Sequence, residues 1–122
     1  RGNDKIVQRG GPGNDVQIAR GGRGNDIIRQ HGGRGSDRTV ARGGGGNDRL
    51  VYGGGRGNDR AVLNGGRGDD RAVIRAGNKD MKVTDAQGRV LYQQGDGSSV
   101  VKVKNVEHLK IKGAGGKTLY QS

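Results

Sequence analysis

The chain has 122 residues, enough for one domain, with 28 glycines, no Cys, Trp or Phe, and hydrophobic residues at only 28%. This composition excludes a conventional core of large side chains, each contributing roughly 1.5–3 kcal/mol when buried, and it excludes disulfides and thiolate metal sites. The formal net charge of +11 suits a polyanionic partner, and no apolar run approaches the roughly 20 residues of a bilayer-spanning helix.

Low hydrophobicity and high charge place the chain near the disordered class, but a strict internal order opposes that reading. Asp4, Asp15, Asp26, Asp37, Asp48, Asp59 and Asp70 recur at a spacing of eleven. The chain opens in mid-turn at Arg1-Gly2-Asn3-Asp4, with the five-residue segment KIVQR after it. Then follow GGPGND with VQIAR, GGRGND with IIRQH, GGRGSD with RTVAR, GGGGND with RLVYG, GGRGND with RAVLN and GGRGDD with RAVIR. The next unit, AGNKDMKVTD, has lost the double glycine, so the array ends near Gly77.

The two halves of each unit have opposite preferences. Glycines enter positive φ without steric cost, so GGxG describes a tight, carbonyl-lined turn. The segments rich in Val, Ile and Leu favour a pleated, half-buried surface. Turn and short strand at fixed length make a solenoid in which each coil buries its apolar side on the next. Helix is excluded, because each interior glycine costs a helix about 1 kcal/mol.

The hexads at 10–15, 21–26, 32–37, 43–48, 54–59 and 65–70 resemble the turn half of the repeats-in-toxin (RTX, haemolysin-type) motif, GGxGxDxUx. The resemblance covers about the first 77 residues and departs from the family in length, with five strand residues where the family has three. It implies an all-β, right-handed parallel β-roll or β-helix in which two repeats, here 22 residues, form one coil. It also implies several calcium ions held between turns. Calcium takes about six to eight oxygen ligands, often including backbone carbonyls. The resemblance assigns Asp15, Asp26, Asp37, Asp48, Asp59 and Asp70 as side-chain ligands. Loop carbonyls, those of Gly13, Gly24, Gly35, Gly46, Gly57 and Gly68 among them, complete the shells. Asn14, Asn25, Asn47, Asn58 and Asp69 are placed to brace the same turns.

In the family register the inward residues are Ile6, Gln17, Ile28, Thr39, Leu50, Ala61 and Ala72. Strand alternation adds Gln8, Ala19, Gln30, Ala41, Tyr52, Leu63 and Ile74. An intervening row, Val7, Ile18, Val40, Val51, Val62 and Val73, broken by Arg29, is then an exposed stripe. Arg23, Arg34, Arg56 and Arg67 occupy the variable turn position, and Arg38, Arg49, Arg60 and Arg71 directly follow the Asp. Stacked at the roughly 4.8 Å spacing of neighbouring strands they repel. Three arrangements relieve this: the heads fan into solvent, they pair with the Asp rows in place of calcium, or they collect an anionic ligand.

Residues 79–122 form a second segment after the 1–78 array. MKVTD, RVLYQQ, SVVKVKN, HLKIKG and KTLYQS read as strands, with turns at Asp85-Ala-Gln-Gly88 and Gly95-Asp-Gly-Ser98. A solenoid needs a cap over its last coil, and this β-rich segment suits that role. NVEHLKI is loosely similar to the segment often following the last RTX repeat.

No catalytic constellation is legible. His31 stands in a row of surface cations, Glu107 and His108 point to opposite faces of a strand, and Gly-x-Gly-x-x-Gly patterns arise trivially from the repeats without a following helix. The expectation is a non-enzymatic module of a larger, secreted bacterial protein, folding on extracellular calcium after type I secretion, its transport signal beyond the repeats. The alternative is a basic roll that binds an acidic polysaccharide or another polyanion. Nucleic acid is disfavoured by scarce aromatics and the lack of a groove-reading helix.

Overall fold

A computed structural model describes residues 3–53, 57–77, 80–95, 97–113 and 116–121. Arg56, Ser122 and the expected boundary at 78/79 lie outside the described residues.

Each five-residue segment of the array is a strand: β1 (Lys5–Arg9), β2 (Val16–Arg20), β3 (Ile27–His31), β4 (Arg38–Arg42), β5 (Arg49–Gly53), β6 (Arg60–Asn64) and, slightly longer, β7 (Arg71–Gly77). Odd strands pair only with odd strands and even with even, in parallel. The register is constant: Ile6 faces Ile28, Ile28 faces Leu50, and Leu50 faces Ala72. One coil is therefore 22 residues, and the fold is an all-β solenoid of two facing parallel sheets. The rung bonding runs past the strands. Ile27, Arg49 and Arg71 donate their amides to the carbonyls of Asp4, Asp26 and Asp48, and Gly21 and Gly43 to those of Arg42 and Asn64.

The inward rows are those of the family register. Gln17, Ala19, Ile28, Gln30, Thr39, Ala41, Leu50, Tyr52, Ala61, Leu63, Ala72 and Ile74 are buried, while Ile6 and Gln8 on the first rung are half-buried. The odd sheet supplies large buried side chains (Ile28, Leu50, Tyr52) and the even sheet several small ones (Ala19, Thr39, Ala41), which suits a thin sandwich without Phe or Trp. The glutamine side-chain amides donate across the sandwich, Gln8 and Gln30 to the carbonyls of Ile18 and Val40 and Gln17 to that of His31, while the side-chain oxygens of Gln17 and Gln30 are buried without a partner. The Val/Ile row lies outside, with Val7 52% and Ile18 54% exposed.

The later strands are β8 (Met81–Thr84), β9 (Val90–Gln94), β10 (Ser99–Lys104), β11 (His108–Gly113) and β12 (Thr118–Gln121). They do more than cap. β8 does not take the place next to β6; β10 does, with Val101 opposite Ala61 and Val103 opposite Leu63. β8 lies one position further out, parallel to β10. The chain thus skips a rung and fills it later, and β10–β11 form one more coil on β6–β7. Each sheet then ends on an antiparallel strand, β9 on β8 and β12 on β11. Among the described residues no helix is long and apolar enough to cross a membrane.

Candidate metal centre

The hexads form two columns of turns, one along each edge of the sandwich. The glycines at their fourth position, Gly13, Gly24, Gly35, Gly46, Gly57 and Gly68, all have φ between 92° and 107°. At Gly46 a Cβ would collide with the Gly24 carbonyl oxygen of the preceding coil. Glycine is demanded there twice, by the left-handed backbone and by the close approach of the coil beneath.

The repeat aspartates line up along these edges. On one edge the amide of Asp4 donates to Asp26 Oδ1, that of Asp26 to Asp48 Oδ1 and that of Asp48 to Asp70 Oδ1, each at 2.8 Å. On the other, Asp15 donates to Asp37 Oδ1 and Asp37 to Asp59 Oδ1, also at 2.8 Å. Each carboxylate therefore clips its coil to the preceding one. Asp26, Asp37, Asp48, Asp59 and Asp70 are buried, and Asp15 is half-buried. The side chains fold back over the first glycine of their own hexad, where a Cβ on Gly21 would stand 2.5 Å from Asp26 Oδ2.

A second column runs the opposite way. Asn3 Oδ1 accepts from the amide of Asn25, Asn25 Oδ1 from Asn47, and Asn47 Oδ1 from Asp69. On the other edge Asn14 Oδ1 accepts from Ser36. The aspartates reach back one coil and the asparagines reach forward one, so adjacent turns are clipped in both directions. Asn58 occupies the equivalent, exposed position.

The two columns end differently. Glu107 Oε1 accepts the Asp70 amide at 2.8 Å, and Ser99 Oγ accepts that of Asp59 at 3.0 Å. Ser99 opens β10 and Glu107 directly precedes β11, strands that continue the rungs with Val100 facing Arg60 and His108 facing Arg71. Sequence reasoning did not single them out as terminators. The available signal was acceptor chemistry at the first residue of β10 and one residue before β11, within the NVEHLKI run.

The electrostatics are those of stacked anions in a dry edge. Burial pushes Asp48 up to about 6, the carboxylates of Asp70 and Asp26 adding to the rise while the Asp26 amide opposes it. Burial also raises Asp37, together with the neighbouring charges of Asp59 and Asp15, and raises Asp70, together with Glu107 and Asp69. One carboxylate oxygen, Oδ2, of Asp15, Asp26, Asp37, Asp48 and Asp70 is buried without a hydrogen-bond partner. An orphaned carboxylate oxygen in a dry site is costly unless a cation or proton meets it.

The arginines do not meet it. Arg38 and Arg60 are neighbours across β4 and β6, Arg49 and Arg71 across β5 and β7, all on the outer faces and exposed. Arg23, Arg34 and Arg67 are exposed on the turns. Among the described residues, Arg89 pairs with Asp85 at 3.9 Å, and His108 Nε2 lies 3.2 Å from Asp69 Oδ1, an ion pair when the imidazole is protonated. Neither involves the buried aspartates. Nor do three or more His, Cys, Asp or Glu side chains converge on one point among the described residues. A cation at these edges would therefore be held by one carboxylate per turn and by backbone oxygens, a donor set that suits a hard ion such as calcium. No protein-family model matches the chain, and no characterised protein or solved structure proves similar to it.

Proposed function

We propose that the chain is a non-enzymatic, calcium-binding β-solenoid module of the RTX type, stabilised by cations along its two turn columns and serving the folding of a larger secreted protein. The observation that carries this reading is the row of buried Oδ2 atoms, which on Asp26, Asp37, Asp48 and Asp70 belong to carboxylates whose Oδ1 is already committed to the neighbouring coil. Asp15, Asp26, Asp37, Asp48, Asp59 and Asp70 would hold the ions with turn carbonyls. Calcium would supply positive charge where burial and like charges otherwise resist ionisation. The glycine carbonyls also support the reading, since they are oxygen donors on the same edges and need no side chain.

Calorimetric titration tests the proposal with Asp48→Asn/Asp70→Asn as the variant. Asparagine keeps an oxygen for the amides of Asp26 and Asp48 but removes two negative charges. The wild-type chain should bind several calcium ions and magnesium far more weakly. The variant should bind fewer calcium ions while remaining at least as stable as wild type in chelator. No heat and no bound calcium at millimolar concentration would overturn the proposal.

A further inference from the structure

The solenoid segregates its charge. Most repeat aspartates are buried in the turn columns, whereas the cations stand on the outer faces of the sheets. The odd sheet shows this most strongly. The first outward row of its strands carries Arg49, Arg71 and His108, and the last carries Arg9, His31, Arg75 and Lys112. These rows are four residues apart on each strand, about 13 Å at the rise of a strand. Between them the central row is mixed, with Arg29 and Lys110 among valines. Two grooves open on this face. One is lined by Arg49, Arg71, His108, Lys110 and Lys112, the other by His31, Arg75 and Lys112 around Gly53. Lys112 belongs to both, and no carboxylate lines either, although Asp69 Oδ1 stands 3.2 Å from His108 Nε2 beside the first. Gly53 stands in register between His31 and Arg75, so the missing side chain opens the second groove within a cationic row.

We propose that the outer face of the odd sheet binds a linear acidic polysaccharide lying along the stack, its anionic groups meeting the Arg49–Arg71–His108 and His31–Arg75–Lys112 rows. Charge complementarity carries the choice of an anionic partner. The repeat carries the choice of a regular polymer, because the rows present one position per rung, roughly every 4.8 Å. A uronate or sulfated chain offers anionic groups at regular short intervals and hydroxyls for the remaining donors. Single-stranded nucleic acid would want aromatic platforms, and Tyr52, the tyrosine of this sheet's array, is buried. An anionic membrane would want a continuous apolar face with cations at its rim, whereas Arg29 and Lys110 interrupt the valines here. The proposal uses the sheet face and not the turns, so it stands apart from the metal reading.

The test is fluorescence anisotropy with labelled heparin and labelled oligogalacturonate, on protein held in calcium and confirmed as β-structured by circular dichroism. Neutral dextran, duplex DNA and phosphatidylserine vesicles serve as comparison ligands. Wild-type protein should bind both acidic polysaccharides, ignore dextran, and lose affinity steeply as salt rises. Arg49→Gln/Arg71→Gln/Arg75→Gln should weaken binding by about tenfold or more, while Arg20→Gln/Arg38→Gln/Arg42→Gln on the opposite face should stay within about threefold. Equal losses in the two variants would reduce the effect to net charge and overturn the proposal. So would tighter binding to the DNA or the vesicles than to either polysaccharide.

Discussion

At the scale of the residue, the glycines of one hexad are not alike. Gly46 combines φ of 101° with a carbonyl from the coil beneath, whereas Gly45, the variable position, has open space around its Cα. Gly46→Ala should therefore cost at least about 2 kcal/mol in urea unfolding, and Gly45→Ala should stay within about 0.5 kcal/mol of wild type. The aspartates make a second prediction. Their pKa values are raised on folding, Asp48 to about 6 and Asp37 and Asp70 in the same direction. The folded chain then holds these protons more tightly than the unfolded one. Their penalty is absent below the unfolded value of 3.8 and fully developed above about 6. In chelator, the melting temperature should rise as pH falls from 7.5 to 5, and Asp48→Asn should flatten that slope. A slope unchanged by the substitution would show that Asp48 is not the source.

At the scale of the element, β10 seals the last even rung of the array. Val101 and Val103 are buried against the rung of Ala61 and Leu63. Val101→Lys/Val103→Lys should eject β10 and leave β6 as an open edge, which is a template for pairing with other chains. Light scattering should then show larger species than wild type forms; a variant of unchanged size and stability would contradict the arrangement. The array itself was legible in the sequence. An eleven-residue period with glycine at each turn yields the strands, the 22-residue coil and the inward rows, because side-chain alternation within a five-residue strand leaves two faces to choose from. The strands of the tail were legible too, for Val and Leu alternate with Lys there. Their order was not. Nothing in SVVKVKN says that it seats before MKVTD, since strand order depends on which face completes a coil. The aspartate columns were foreseen as a place and not as a bonding pattern. That Oδ1 would accept the amide 22 residues earlier follows only once the register is known.

At the scale of the whole molecule, a small domain whose thin core mixes alanines and glutamines with a few leucines, isoleucines and valines lacks the stabilisation that phenylalanines, tryptophans or disulfides supply. Its aspartates hold the coils together through Oδ1 and strain them through stacked charge. On the proposed reading, a bound cation would turn the second effect into a contribution to stability, and folding would then be conditional on the metal. The most direct measurement is the thermal melt of the chain, followed by far-ultraviolet circular dichroism, in chelator and in calcium at about 100 times its dissociation constant. Each site then contributes about 2.7 kcal/mol, so the melting temperature should rise by about 8 °C or more. Identical melting curves with and without calcium would contradict the account.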